Sequence, residues 1–208
     1  MNQILEIKNS KKRKKYKNFF KIQFFMSLII IISFSIYLLY FYISRIKGEN
    51  ISNTLLSTFT LERLYSKSVN YTDIDSNKND NCFVIGTIEI PKLNIKYPIL
   101  SDVSDEFLKI SAGRFYGPPP NKIGNLCIAA HNYDDNRFFS NLYKLDTGDA
   151  INIYDINNLL ITYYVYDKFE TFKSDASCTS QNTNGKKEIT LVTCNNITKN
   201  RLIVKAVE

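Results

Sequence analysis

Three residues of this 208-residue chain combine into recognisable chemistry: Cys194, Arg201 and the only histidine, His131. A thiol is a nucleophile as its thiolate, and a neighbouring imidazolium or guanidinium favours that form. A guanidinium also holds the oxyanion that develops when sulfur adds to a carbonyl, and an imidazole carries protons between nucleophile and leaving group. Nucleophile, proton shuttle and positive hydrogen-bond donor are the parts needed for acyl transfer. Each residue alone has a blander reading. A lone histidine at a strand end is ordinarily a packed or surface residue, a cysteine in an apolar strand is ordinarily core, and an arginine at a strand edge is one more charge.

The elements that have to position these groups are strands. Thr190-Leu-Val-Thr-Cys194 reads as a strand that delivers the thiol, and Arg201-Leu-Ile-Val as a second strand that opens with the arginine after a six-residue turn. From Phe83 onward, short β-branched and aromatic runs alternate with turn signals. The expected strands are Val84-Ile90, Asn94-Leu100, Asn125-His131, Ala150-Tyr154, Leu160-Asp167, Lys168-Phe172, Glu188-Cys194 and Arg201-Val207. Helical turns are expected at Asp105-Ala112 and Asn136-Leu145, the latter with Phe138, Phe139, Leu142 and Leu145 on one face. Asn157-Asn158 fits a hairpin turn and Gly117-Pro-Pro-Pro120 an extended loop. Seven or eight strands with little helix imply an all-β fold, a closed barrel or a sandwich.

Ahead of this domain lie 23 uncharged residues, Ile22 to Ser44, enough helix to cross roughly 30 Å of hydrocarbon. Residues 1–44 carry eight Lys or Arg against one acid, and residues 45–208 carry nineteen of each sign. The whole net charge of +7 therefore sits on the flank before the span, which the positive-inside rule places in the cytoplasm, with the remainder facing outward. A basic run that abuts a membrane span, followed by a neutral domain, argues against nucleic acid as a partner. The apolar run exceeds a signal-peptide core, and Tyr42-Ile-Ser-Arg-Ile-Lys lacks a small-x-small cleavage site, so an uncleaved anchor is expected. Residues 51–67 read as an amphipathic helix on the spacing of Ile51, Leu55, Phe59 and Leu64-Tyr65, and the polar stretch Asn70 to Asn81 reads as a linker. The expected organisation is a cytoplasmic tail (1–21), an anchor (22–44), a helix with linker (45–81) and a catalytic domain (82–208).

The four cysteines, Cys82, Cys127, Cys178 and Cys194, are irregularly spaced, and nothing in a domain of this size demands a disulfide framework. Cys127 reads as a buried small hydrophobe. Cys178 is read either as a regulatory disulfide partner of Cys194 or as an inert surface thiol. One histidine and scattered cysteines without a Cys-x-x-Cys pair argue against zinc, and no compact cluster of acids demands calcium. No cofactor is expected.

Thr190-Leu-Val-Thr-Cys194 with the following Arg201 resembles the signature of the sortases, the Gram-positive cysteine transpeptidases, which is Thr-Leu-x-Thr-Cys followed by Arg. Leu126-Cys-Ile-Ala-Ala-His131-Asn132 is similar to their histidine strand, and Gly86-Thr-Ile-Glu-Ile-Pro91-Lys-Leu-Asn-Ile to their opening strand pair. Phe138-Phe139-Ser-Asn-Leu142 with Gly148-Asp149 resembles the segment after the histidine. The resemblance covers about residues 83–207 and implies a closed sortase-like β-barrel behind a membrane anchor. It further implies that Cys194 is the nucleophile, His131 the acid and base, and Arg201 the oxyanion and substrate holder. The substrate would be an LPxTG-like sorting signal on a surface protein and the acceptor an amine of a peptidoglycan precursor. Thr193 would contact substrate, or is simply a β-branched strand residue; Asn132 would orient the histidine loop and substrate, or merely makes a turn. An apolar groove is expected under the loop from Lys173 to Lys187. Tyr71-Thr-Asp-Ile-Asp-Ser offers no Asp-Pro-aromatic lid motif of the pilin-polymerising branch, and the segment before the cysteine strand is too short for the helical insertion of the haem-uptake branch. The short spacing from Cys194 to Arg201 departs from the longer turn of many housekeeping members, so wall anchoring is expected with the subclass open. A cysteine hydrolase with the same three residues and a non-catalytic membrane-anchored β domain remain the alternatives.

Overall fold

The structure is a computed structural model that describes residues 2–64, 82–133 and 135–208. The expected linker at 70–81, the end of the helix expected at 51–67, and the segment compared with a lid lie outside the described residues. The chain divides into two compact units, Met1–Lys47 and Gly48–Glu208.

One long helix, α1 (Asn2–Leu64), contributes a stretch apolar enough to cross a membrane. Phe24, Ile29, Ile30 and Phe34 all expose most of their surface there. The anchor and the helix at 51–67 were expected as separate elements, whereas α1 runs through both. The intervening Arg45-Ile-Lys-Gly-Glu-Asn50 contains no proline, and one glycine costs a helix only about 1 kcal/mol relative to alanine.

In the second unit, eight strands close a barrel: β1 (Val84–Ile90), β2 (Ile95–Leu100), β3 (Ala112–Tyr116), β4 (Gly124–Ala129), β5 (Ala150–Asp155), β6 (Leu160–Thr171), β7 (Lys187–Cys194) and β8 (Arg201–Val207). Around the barrel they run β1-β2-β3-β4-β7-β8-β6-β5, closed by the antiparallel pairing of β1 with β5. Only β2 with β3 and β4 with β7 are parallel. Period-2 alternation turns Ile88, Ile90, Leu126, Ile128, Ile151, Ile153, Ile189, Leu191 and Val204 inward, and they form one core with Phe138, Phe139, Leu142 and Leu145.

Two strands expected over 160–172 are one twelve-residue strand with a bulge between Val165 and Asp167. The bulge inserts a residue and shifts the alternation, which makes one strand read as two. β3 was not anticipated. Of its five residues only Ala112 turns to the core, while Phe115 and Tyr116 are exposed, so it carries no alternating signal. The helical turns expected over 136–145 are a series of turns ending in the 3-10 turn Leu142–Lys144. Phe138 adopts a left-handed φ of 48°, which interrupts a helix, although all four apolar residues are buried as expected. Gly117 to Pro120 forms bends rather than an extended run.

The C-terminal part of α1 packs on the barrel wall. Leu55 and Phe59 cluster with Cys82, Val84 and Leu100, and with Phe107 and Ile110 around α2 (Asp105–Leu108). Gly48 permits this approach, since a Cβ there would sit 2.5 Å from the Lys109 carbonyl oxygen. Ser104 caps α2, its hydroxyl accepting from the Phe107 N–H at 3.2 Å.

Candidate active site

Strand parity decides which face of the barrel carries the chemistry. On β4, Leu126 and Ile128 point inward, so Cys127 and Ala129 point outward; on β7, Ile189 and Leu191 point inward and Thr190, Val192 and Cys194 outward. Ala129 pairs with Val192 in parallel register, and Cys194 pairs with Arg201 in the antiparallel β7–β8 hairpin. Two residues beyond Ala129 lies His131, level with Cys194, which is two beyond Val192. Cys194 and Arg201 thus form a row on the outside of the barrel at the ends of β7 and β8, and His131 follows the end of the neighbouring β4.

Cys194 is exposed and free, whereas His131 and Arg201 are half-buried. β4 ends at Ala129 rather than at His131, as the sequence led us to expect. Its departure from the ladder lets the imidazole stack on Tyr133, with ring centroids 5.0 Å apart. Burial lowers the His131 pKa from its ordinary value; the Asp105 carboxylate opposes this and the Lys109 ammonium reinforces it. The neutral imidazole is thereby favoured, which is the form that accepts a proton. The guanidinium carbon of Arg201 lies 5.7 Å from the centroid of the Phe115 ring, a cation–π distance that holds the arginine against the outer face.

The residues between these groups are bonded to one another. The Thr193 hydroxyl donates to the Ala130 carbonyl at 2.8 Å, and Thr193 is only 3% exposed. The Asn132 side-chain amide donates to the Cys194 carbonyl at 2.9 Å. Asn196 donates in turn to the Asn132 carbonyl at 3.1 Å. The six-residue turn from Asn195 to Asn200 folds around Asn195, whose side-chain oxygen accepts from the N–H groups of Ile197 and Thr198. That turn is tied to β6 through Glu170, which bonds Asn195 and the Thr198 hydroxyl.

The outer face below the row is not open. Residues 172–186 fold over it, and Cys178, 2% exposed, packs on Val192 and Ile203 with Ala129 and Phe169 beside them. Cys178 is therefore not a surface thiol: it is buried, and free in this structure. Burial raises its pKa, partly opposed by the charge of Arg201, which makes it a poor nucleophile. The surface expected to form a groove under this loop is filled by Cys178 itself. The loop is pinned by Asn125, fully buried, which donates to the carbonyls of Cys178 (2.9 Å) and Ser180 (3.1 Å) and accepts from the Thr190 hydroxyl (2.8 Å). Gln181 completes the lock by bonding both backbone groups of Asn125. Sequence reasoning passed over Asn125, Gln181 and Asn196. They are polar residues with no motif, and only a buried Asn on an outer strand position offered any signal.

Around the row, Phe115, Phe172 and Ile197 expose apolar surface, Ile197 at 91%. Among the described residues, no group of three His, Cys, Asp or Glu is arranged to hold a metal ion.

The closed eight-stranded barrel and the thiol, imidazole and guanidinium at its strand ends define a sortase fold, and residues 88–208 match the Sortase domain family. The chain belongs to the sortase family. Among its relatives is a sortase A of Bacillus anthracis, 29% identical over 124 residues, which are 56% of this chain and 55% of that protein. The chain thus spans about half the length of the curated relative it matches. A Sortase D5 transpeptidase of Clostridium perfringens superimposes with a TM-score of 0.64 at 29% identity, over 76% of this chain and 98% of the other. A Clostridium perfringens sortase C, solved with the C-terminal cell wall sorting motif, shares the fold with a TM-score of 0.54 at 24% identity, over 79% and 86% of the two chains.

Proposed function

We propose that this protein is a membrane-anchored cysteine transpeptidase that cleaves an LPxTG-like sorting signal and joins the surface protein to an amine of the cell wall. The observation that carries this reading is the pairing of Cys194 with Arg201 at the outer strand ends, with His131 two residues past the end of the neighbouring β4. The similarity to a transpeptidase over 98% of its length supports it.

The reaction runs in two acyl transfers. The Cys194 sulfur attacks the carbonyl carbon of the Thr–Gly bond, and its proton passes to His131, whose burial favours the neutral, proton-accepting form. Arg201 holds the oxyanion of the tetrahedral intermediate, a contribution of about 3–4 kcal/mol in comparable sites. As the intermediate collapses, the imidazolium gives its proton to the departing glycine nitrogen, which leaves a thioester on Cys194. The acceptor amine then attacks the thioester carbon, His131 takes up the surplus amine proton, and the thiol is restored as the amide forms. Apolar surface at Phe115, Phe172 and Ile197 receives the Leu-Pro end of the signal.

Residues 22–44 anchor the protein. The basic tail at 1–21 stays in the cytoplasm, residues 45–81 are an extracytoplasmic helix and linker, and residues 82–208 form the extracytoplasmic catalytic domain.

The test is intact-mass spectrometry on the detergent-solubilised full chain incubated with sorting-signal peptides, with and without an amine. An acyl adduct at Cys194 that is absent in Cys194→Ala, and that becomes an amide product when amine is added, is the expected result. Release to water alone in the presence of amine would assign a hydrolase. A folded protein with a free Cys194 thiol and no adduct with any peptide would overturn the catalytic reading.

A further inference from the structure

Parallel ladder bonding between β4 and β7 ends just before the reacting residues. Among the described residues, the last backbone bond between the two strands is that of the Ala130 N–H to the Val192 carbonyl, at 3.2 Å. His131 and Cys194 lie beyond it, on segments that would be free to part. Three side chains continue the pairing where the backbone stops. Thr193 closes onto the Ala130 carbonyl, Asn132 onto the Cys194 carbonyl, and Asn196 onto the Asn132 carbonyl. The last two bonds run in opposite directions across the same gap, both just past His131 and Cys194, with the Thr193 bond just before them.

We infer that Asn132 and Asn196 are positioning residues that act as a clamp, holding the imidazole of His131 within reach of the Cys194 sulfur in place of the missing ladder. This rests on the assignment of Cys194 and His131 proposed above. Asn196 is itself held. Its neighbour Asn195 organises the turn through its own side chain and is tied to Glu170 on β6. The turn between Cys194 and Arg201 is therefore a brace from β6 to the histidine segment, and not only a connection between two strands. A side-chain amide suits the task because its N–H reaches across and donates to a carbonyl without bringing charge to the site. Alanine at either position leaves a carbonyl facing the gap and lets the two segments separate. A misplacement of about 1 Å between reacting groups can cost on the order of a hundredfold in rate.

The experiment uses the full chain in detergent with a sorting-signal peptide that acylates the wild type, so that failure of the wild type to form an adduct would already have counted against the proposed function and not against the clamp. Acylation is then followed in single turnovers for Asn196→Ala, Asn132→Ala and the double variant, each normalised to the fraction of Cys194 that alkylates and checked for an unchanged melting temperature. The expected result is a fall of about tenfold to a hundredfold in the acylation rate constant at saturating peptide, with the half-saturating concentration unchanged. The double variant should lose less than the product of the two single losses, because both bonds close one joint. Wild-type rate constants in both single variants would overturn the clamp. So would a change confined to the half-saturating concentration, which would make these asparagines substrate contacts. Should Asn196→Ala melt early, Asn196→Gln, which keeps the donor, replaces it. Recovery of at least half the wild-type rate constant supports the clamp, and a rate as low as that of Asn132→Ala overturns it.

Discussion

His131 is the residue whose environment is most informative. Its surroundings at the end of β4 take the imidazole out of water, and the resulting depression of its pKa ties stability to pH. Below the unfolded value of about 6.5 the unfolded chain binds a proton that the folded state resists. The folded state is therefore at full strength above that value and weakens as pH falls through the interval down to the depressed folded pKa, where the loss levels off. A shallower acid dependence of the melting temperature between pH 8 and pH 5 is expected for His131→Gln than for the wild type, as read by differential scanning fluorimetry. Equal slopes would mean that other groups dominate acid sensitivity. The same desolvation serves the proposed chemistry, because a neutral imidazole can take the thiol proton.

At the level of elements, the site depends on pieces that hold strands and loops in place. The 172–186 loop lies flat because Asn125 supplies hydrogen bonds to two of its carbonyls, and Gly117 leaves room for the Asn125 backbone where any Cβ would collide with its carbonyl oxygen. Asn125→Ala removes a donor from both carbonyls, and the buried Cys178 carbonyl keeps only the longer bond from the Thr190 hydroxyl at 3.4 Å, at a cost of about 1–3 kcal/mol in all. Hydrogen exchange should rise selectively over residues 177–183, and the peptide concentration for half-maximal acylation should increase; protection unchanged from the wild type would show that Gln181 alone secures the loop. The C-terminal part of α1 is a second such piece. Phe59 is buried against the Leu100 and Phe107 region, so Phe59→Ala is expected to lower stability by about 3–5 kcal/mol in denaturant unfolding. Because Phe107 sits in α2, whose Asp105 and adjacent Lys109 act on His131, the same change should also slow acylation.

For the molecule as a whole, charge and hydropathy are divided between its two units. Residues 1–47 carry a net charge of +9, ten Lys or Arg against one acid, and the barrel unit, residues 48–208, carries −2, seventeen against nineteen. Expressed in a bacterial host, the full chain should remain in the membrane pellet after alkaline carbonate washing, and a variant in which residues 22–44 are replaced by a soluble linker should not. Accessibility of the barrel to external protease in intact spheroplasts, with the tail protected, is the outcome that fits the charge asymmetry; the reverse pattern would invert the proposed orientation.

Sequence by itself determined what depends on local pattern. Alternating apolar residues marked most of the strands, and β1 and β8 were placed to the residue. Cys194 and Arg201 were legible as a pair because they belong to one hairpin, separated by a short turn, so their pairing follows from adjacent strands. The long apolar run identified the candidate span without reference to any fold. Only the tertiary structure decided matters that depend on pairing between distant segments. His131 and Cys194 are 63 residues apart, and each follows by two residues the last register pair, Ala129 with Val192, because β4 and β7 lie parallel, a choice made by the closed barrel as a whole. β3 was invisible because its residues gain order from β2 and β4 rather than from their own alternation. Cys178 was misread for the same reason: it lies in a polar loop by sequence, and it is buried because that loop folds over a barrel face whose outward residues are apolar.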